Sequence, residues 1–200
     1  MEVICSSLAS RRVPHSGPSL VDTESFLRQW EAVQAKHADL PGEDAARRRA
    51  EAYAPFFLGF GERVYIGAGC RFYHPHRIVL EDDARFNDGA LVYGSGGVHV
   101  GRHARIGPRF FVHSANHDTG ASPLAFHERG YDYATVRIGD DCLISANVSV
   151  LPGAILGPGT FVAAGAVVTG RTYPDDARLA GVPAKAMAMA ETTHVAVAAR

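Results

Sequence analysis

The sequence lacks several features that would assign it to a specialised class of protein. The most apolar stretch towards its C-terminal end, residues 161–168, is far shorter than the roughly 20 residues that a membrane-spanning helix needs. Lys and Arg total 20 against 21 Asp and Glu, so the net charge is only -1. A balance so close to zero favours neither nucleic acid nor an anionic membrane as a partner. We therefore expect no nucleic-acid partner and no membrane partner.

Cysteine is also scarce. Cys5, Cys70 and Cys142 are odd in number and widely spaced, a pattern that predicts neither a disulfide framework nor a zinc motif. We interpret them as reduced thiols, with Cys142 packed as a small hydrophobic residue. Arg11 and Arg12 are not followed by an apolar segment, so no secretory signal is predicted. Reduced thiols without a secretory signal lead us to expect a cytoplasmic protein.

The sequence contains 21 glycines. Over long stretches it also has an aliphatic or aromatic side chain at every sixth position. The main run contains Ile138, Ile144, Val150, Leu156, Val162 and Val168. Two shorter runs precede it: Leu80, Phe86 and Val92, and then Val100, Ile106 and Val112. A period of six matches neither an α-helix nor a half-buried strand. It predicts a parallel β-helix with three flat faces, in which each inward residue stacks on its i+18 partner.

The six-residue register breaks twice before the main run. The first break, from Val92 to Val100, crosses a glycine-rich stretch, and the second, from Val112 to Ile138, is much longer. We interpret residues 118–135 as a loop extruded from the prism, and long loops in compact domains are often functional. The predicted organisation is a flexible N-terminus over residues 1–20, a helical segment over 21–60, the β-helix over 61–173, and a C-terminal turn and tail over 174–200.

Two helices are predicted in the segment before the repeats. Asp22 and Thr23 are candidate caps for a helix from residue 24 to about residue 38. A second helix is predicted from residue 43 to about residue 53, after the Pro-Gly break at 41–42. Its three consecutive arginines, at 47–49, are interpreted as part of a solvated face.

Four segments resemble the hexapeptide-repeat O-acetyltransferases, in particular the maltose and galactoside acetyltransferases and their capsular-polysaccharide relatives. They are residues 105–117 (RIGPRFFVHSANH), 138–159 (IGDDCLISANVSVLPGAILGPG), 163–169 (AAGAVVT) and 180–185 (AGVPAK). The resemblance covers about residues 62–187. It implies an all-β-dominated chain built on a left-handed parallel β-helix. It also implies a homotrimer with acetyl-CoA as acyl donor, bound between neighbouring prisms, and neither a permanently bound cofactor nor a metal.

The resemblance also implies roles for individual residues. His117, at the mouth of the extruded loop, matches the family's catalytic histidine, and a neutral imidazole suits removal of a hydroxyl proton near pH 7. The matching acceptor-binding residues are Asn87, Arg85 and Ser95. The positions that contact CoA correspond to Ala146, Ala164, Thr169, Arg171 and Lys185, and the amide of Ala146 is the candidate oxyanion donor. Leu143 and Gly170 depart from the family's usual Trp and Lys.

The spacing of two of these residues bears on assembly. The separation between Asn87 and His117 equals one full coil of the predicted prism plus two further faces. They should therefore lie on different faces of their own prism and meet at one site only where two prisms pack. This spacing predicts a site shared between subunits.

Three other functions stay open at this stage. An N-acyltransferase acting on an amino sugar or other amine would use the same scaffold and donor. A zinc hydratase of the γ-carbonic-anhydrase type would need three converging histidines. The available histidines are His74, His76, His99, His103 and His117, of which His99 and His117 have the i, i+18 spacing of one coil. A catalytically inactive binding scaffold is the third.

Overall fold

The computed structural model describes residues 20–187, so the predicted flexible N-terminus, Cys5 and the end of the C-terminal tail lie outside the described residues. Two helices come first, α1 at Leu20–His37 and α2 at Glu43–Tyr53. Helix α1 begins at Leu20, so the prediction that Asp22 and Thr23 cap it from outside is wrong. Acidic residues are favoured inside the first turn of a helix as well as at its cap, so this sequence pattern fits either position.

Short strands make up most of the remaining chain. In the described residues they are β1 Gly59–Phe60, β2 Tyr65–Ile66, β3 Arg71–Tyr73, β4 Ile78–Leu80, β5 Arg85–Phe86, β6 Leu91–Tyr93, β7 Val98–Val100, β8 Arg105–Ile106, β9 Phe111–His113, β10 Ala115–His117, β11 Tyr131–Tyr133, β12 Val136–Ile138, β13 Leu143–Ile144, β14 Ser149–Val150, β15 Ile155–Leu156, β16 Phe161–Val162, β17 Val167–Val168, β18 Thr172–Tyr173, β19 Arg178–Ala180 and β20 Lys185–Ala186.

The strands form three parallel sheets that are the faces of a triangular prism. The first face contains β1, β4, β7, β12, β15 and β18, the second β2, β5, β8, β13, β16 and β19, and the third β3, β6, β9, β14 and β17. Every residue named above in the six-residue repeat is buried inside the prism. The predicted i+18 stacking is confirmed at each of the three faces, for example by the pairing of Ile144 with Val162.

The coils are not all of one length. In the first half, Ile66 pairs with Phe86 and Phe86 with Ile106, so each residue there stacks on its i+20 partner. Later coils are shorter, since Ile144 pairs with Val162 at i+18 and Val162 with Leu179 at i+17. The break before Val100 is therefore a regular feature of the early coils, whose extra residues lie at the corner that follows the third face.

The two helices close the N-terminal end of the prism. Trp30 Nε1 donates a hydrogen bond to the carbonyl of Phe72 at 3.0 Å, and the amide of Phe72 donates to Gln34 Oε1 at 2.9 Å. Trp30 also packs edge-on against Tyr53, with 4.7 Å between ring centroids. Helix α1 is thus tied to the first strand of the third face.

Arg49 contradicts the solvated-face interpretation of the arginine run. Arg47 and Arg48 are exposed, but Arg49 is 0% exposed. Its guanidinium donates to the carbonyls of His37, Ile66 and Leu40. The prediction is wrong because residue 49 lies on the same side of α2 as the buried alanines, and a buried guanidinium is tolerated where its donors find acceptors.

The coils continue past residue 173 and end where the chain turns back. β18 pairs with β15, and β19 pairs with β16. After β19, β20 folds back antiparallel, with Lys185 opposite Ala180. No helix within residues 20–187 combines the length and hydropathy that crossing a bilayer requires.

Candidate functional site

A β-hairpin leaves the prism at the corner that follows β9, a strand of the third face. Its strands β10 and β11 are antiparallel, with Ala115 opposite Tyr133 and His117 opposite Tyr131. The hairpin is anchored at its base by Ser114, a fully buried residue whose hydroxyl donates to the carbonyl of Tyr93 at 2.8 Å and accepts from the amide of Gly96 at 2.8 Å. The break in the six-residue register therefore corresponds to a segment held firmly to the coil.

His117 is exposed on this hairpin and contacts an aromatic neighbour. Its imidazole lies against the ring of Tyr131, with 4.3 Å between centroids and 35° between planes. The contact joins residues directly opposite each other in the hairpin, so backbone pairing fixes their separation. A solvent-accessible imidazole whose orientation is restricted in this way can accept a proton from a bound substrate.

Other polar residues of the hairpin have structural partners. Asp118 accepts a hydrogen bond from the amide of Gly120, as expected for a turn, and Glu128 accepts one from the amide of Ala125. Arg129 donates to three carbonyls of the tip and stacks on Phe126. These bonds order the tip, and Glu128 is engaged there rather than at His117.

The residues predicted to bind the acceptor lie in different surroundings. Asn87 follows β5 at the corner between the second and third faces, with its side chain half-buried. Arg85 lies on the outer surface of the second face, where its guanidinium stacks on Tyr65 at 3.8 Å and lies 3.7 Å from Glu43. Ser95 lies at the corner after the third face, and its carbonyl accepts a hydrogen bond from Arg77.

The residues predicted to contact CoA fall on the later coils. Ala146 and Ala164 occupy equivalent positions of successive coils at the corner after the second face, where the amide of Gly165 donates to the carbonyl of Ala146 at 2.9 Å. Thr169 and the exposed Arg171 lie at the corner after the third face, and Lys185 is exposed in β20.

Intramolecular contacts already hold part of the corner after the third face. The Thr169 hydroxyl lies 3.1 Å from the Tyr173 hydroxyl. The guanidinium of Arg171 lies over the Tyr173 ring at 4.8 Å and donates to the carbonyl of Ala184 at 3.1 Å. Arg171 is therefore positioned by the last coil while its side chain remains accessible.

Most of the predicted site residues therefore lie on two of the three corners of the prism. The corner after the second face holds Asn87, Ala146 and Ala164, and the corner after the third face holds Ser95, Thr169, Arg171 and the hairpin with His117. About 20 Å of extended chain, the width of the third face, separates the two corners. The remaining corner carries exposed ion pairs, such as Arg63 with Asp83 at 2.7 Å and Arg102 with Asp140 at 2.7 Å.

Several aromatic side chains of this region were not predicted from the sequence. Tyr131 was hidden because its proximity depends on the hairpin register, which no repeat specifies. Tyr73, Tyr93 and His113 form an outward-facing column on the third face. Strict alternation about the buried Phe72, Val92 and Val112 could have placed them outside the prism, but their mutual contact required the i+20 pairing of the early coils.

Among the histidines considered for zinc, His74 and His76 lie close together, with 5.9 Å between ring centroids. Within residues 20–187, no group of three His, Cys, Asp or Glu side chains is placed to hold a metal ion. His99 Nε2 lies 3.0 Å from Glu81 on the first face, and His103 lies 3.7 Å from Asp83. Cys142 is buried, and burial raises the pKa of its thiol to about 11.

Comparison with known proteins identifies the family. The family described as bacterial transferase hexapeptide (six repeats) matches residues 135–170. The putative lipopolysaccharide biosynthesis O-acetyltransferase WbbJ of Escherichia coli K12 is 34% identical over 137 residues, which cover 64% of this chain and 69% of that protein. A putative acetyltransferase of Schizosaccharomyces pombe is 33% identical over 175 residues, 82% of this chain and 78% of that protein.

A solved structure shows the same architecture. The hexapeptide-repeat acetyltransferase of Vibrio cholerae, in complex with acetyl-CoA, superposes with a TM-score of 0.74 at 20% identity, over 87% of this chain and 92% of that chain. This similarity confirms the predicted left-handed parallel β-helix. Together with the two sequence relatives, it shows that the chain belongs to the hexapeptide-repeat acetyltransferase family and is an acyltransferase.

Proposed function

We propose that this protein transfers an acetyl group from acetyl-CoA to a hydroxyl of a sugar, glycoside or similar small acceptor. The observation that carries the proposal is the exposed imidazole of His117, which a well-anchored hairpin holds against Tyr131 beside the prism. The names of the relatives support this choice, because WbbJ is described as an O-acetyltransferase. Acetyl-CoA is bound in the solved structure from Vibrio cholerae.

In this mechanism His117 is the general base. Its neutral imidazole accepts the proton of the acceptor hydroxyl while the hydroxyl oxygen attacks the thioester carbonyl carbon. The new C–O bond forms and the C–S bond breaks, and the imidazolium returns its proton to the departing CoA sulfur. The amide of Ala146 is the proposed donor to the developing oxyanion. No covalent enzyme intermediate is needed, and the buried thiols of Cys70 and Cys142 take no part.

We assign the binding of both substrates to residues at and beside these two corners. The small side chains of Ala146 and Ala164 let the narrow pantetheine arm approach the backbone. Arg171 and Lys185 offer positive charge to the CoA phosphates. Asn87 orients the acceptor together with Arg85, which lies two residues earlier on the second face, and Ser95 contacts the acceptor from the corner that carries the hairpin.

We propose a homotrimer in which the site is shared between subunits. Asn87 and His117 lie at corners separated by about 20 Å of the third face, so one small acceptor cannot reach both within a single prism. Packing one prism against the next would bring the corner after the second face of one copy towards the hairpin of its neighbour. The exposed Leu124, Phe126 and Tyr131 of the hairpin would lose apolar exposure in such a contact. We also place the enzyme in the cytoplasm, where thiols remain reduced.

The test is a comparison of two histidine variants in the same hairpin. Release of free CoA thiol is measured with acetyl-CoA and a panel of sugars, glycosides and amino sugars. His117→Ala should lower kcat by about 10²–10⁴, the usual contribution of a positioned general base. His127→Ala is the matched control, because His127 is exposed at the tip. Calorimetric binding of acetyl-CoA should remain intact in both.

Each measurement has an outcome that contradicts the proposal. Wild-type turnover in His117→Ala on the preferred acceptor would remove His117 from the mechanism. Preference for amines over hydroxyls in the panel would assign N-acylation instead. A protein that sediments as a monomer and is fully active would rule out the shared site.

A further inference from the structure

Three aromatic side chains form a vertical column on the outside of the third face. Tyr73, Tyr93 and His113 are paired in register across β3, β6 and β9. The two tyrosine rings are stacked in parallel, with 4.4 Å between centroids and 4° between planes. The imidazole of His113 meets the edge of Tyr93 at 5.0 Å. We call these three residues the aromatic column.

The aromatic column leads to the candidate base. It lies on the third face, between the corner that holds Asn87 and the corner from which the hairpin leaves. His113 is followed by the anchor Ser114 and then by β10, which carries His117. His117 lies four positions after His113, at the end of β10. Successive coils are about 4.8 Å apart, so the column extends about 10 Å from His113 to Tyr73.

The column is accessible and uncharged. Tyr73 is 42% exposed, and Tyr93 and His113 are half-buried. Burial lowers the pKa of His113, with smaller effects from His117 and His74, so this imidazole is neutral at pH 7. Burial, with Tyr73 nearby, raises the pKa of Tyr93, which keeps its phenol protonated.

Stacked rings with polar tips match one class of ligand. Each tyrosine presents an apolar ring edge and a hydroxyl that can donate and accept, and the imidazole presents the same combination. Sugars likewise combine C–H surfaces with hydroxyls. A neutral column has no fixed positive charge with which to select phosphate, sulfate or carboxylate groups.

We propose that the aromatic column binds the sugar units next to the one that is acetylated, so that the acceptor is a neutral oligosaccharide or extended glycoside rather than a free monosaccharide. This inference rests on the proposed function, because it takes His117 as the point of transfer. A chain of two or three sugars would then run from the hairpin along the column to Tyr73. Tyr73 therefore contacts only the longer acceptors.

The experiment compares acceptor length with the far end of the column removed. Matched mono-, di- and trisaccharides of glucose, galactose and N-acetylglucosamine are assayed with wild type, Tyr73→Ala and Tyr133→Ala. Tyr133 is the control, since it is a 61% exposed tyrosine on the hairpin and not part of the column. We expect Tyr73→Ala to lower kcat/KM for the trisaccharide about tenfold, mainly through KM, and to leave the monosaccharide unchanged. Tyr133→Ala should not show this dependence on length.

Several outcomes would overturn the inference while leaving acetyl transfer intact. They are no length preference in wild type, an equal loss on short and long acceptors, or a changed sedimentation coefficient in Tyr73→Ala. The last would show that the column is an interface between copies of this chain. If no sugar is acetylated, the proposed function fails. Calorimetric titration with the same trisaccharides then decides the inference, which requires binding by wild type that weakens in Tyr73→Ala.

Discussion

Replacing Arg49 tests how the two helices hold the first coil. In Arg49→Ala, the carbonyls of His37, Leu40 and Ile66 lose their donors while the site stays buried. Hydrogen bonds to a charged group contribute about 1.5–3 kcal/mol each, but the three share one side chain and are not additive. We expect a loss of about 3–5 kcal/mol, because the change leaves buried carbonyls unsatisfied, at about 1–3 kcal/mol each, and empties the volume of a large buried side chain. That is a large part of a typical stability of about 5–15 kcal/mol.

Equilibrium unfolding in urea, followed by circular dichroism, measures this loss. Arg48→Ala is the matched control, because Arg48 is its exposed neighbour on α2 and should change stability by less than about 0.5 kcal/mol. Arg49→Lys should fall between them, since an ammonium cannot reproduce the fork of a guanidinium. If Arg49→Ala is no less stable than Arg48→Ala, the buried arginine does not fasten the helices to the coil.

Three further predictions concern the site and the pH dependence. Tyr131→Leu should lower kcat about tenfold because the imidazole of His117 loses its ring contact, whereas Tyr133→Leu should not; equal effects in steady-state assays would exclude positioning by Tyr131. A Cβ on Gly107 would lie 2.8 Å from the Ala146 amide nitrogen, so Gly107→Ala should lower both stability and kcat. Gly101→Ala makes an equally close backbone contact elsewhere and should lower stability alone; an unchanged kcat in Gly107→Ala would argue against the oxyanion role. Burial lowers the pKa of His76, so the unfolded chain takes up a proton before the folded one, and stability should fall as pH drops below about 6.5. Urea unfolding at pH 7 and pH 5 should show a smaller loss in His76→Gln, and an identical loss would remove His76 as a cause.

The fold was predictable because one physical requirement recurs in every coil. Each face must bury one side chain, so an aliphatic residue returns at every sixth position, and Ile138 through Val168 are all inside the prism. Parallel stacking then fixes the partner of each residue, since a strand can pair only with its equivalents one coil above and below. In the later coils, the period therefore identified both the inward residues and their neighbours.

Features that depend on a single tertiary contact escaped the sequence analysis. Arg49 looks like a surface residue beside Arg47 and Arg48, and only the carbonyls contributed by α1, the following loop and β2 make its burial possible. The length of the early coils escaped for a similar reason. Extra residues at a corner do not disturb the inward pattern within a face, so the longer gap before Val100 looked like an isolated slip.

The repeat that reveals the fold also conceals the site. Every coil offers the same three corners and the same outward positions, so the period cannot distinguish a corner that binds a ligand from one that only turns the chain. His117 could be selected because it stands where the period breaks. Tyr131 stands in the same break, but its place opposite His117 is set by hairpin pairing, which carries no repeat. The aromatic column lies within the regular coils, and it becomes visible only when the i+20 pairing aligns Tyr73, Tyr93 and His113 beneath the hairpin. In a β-helix of this kind, chemistry is therefore best sought where a break in the period meets outward side chains that the true coil length brings into line.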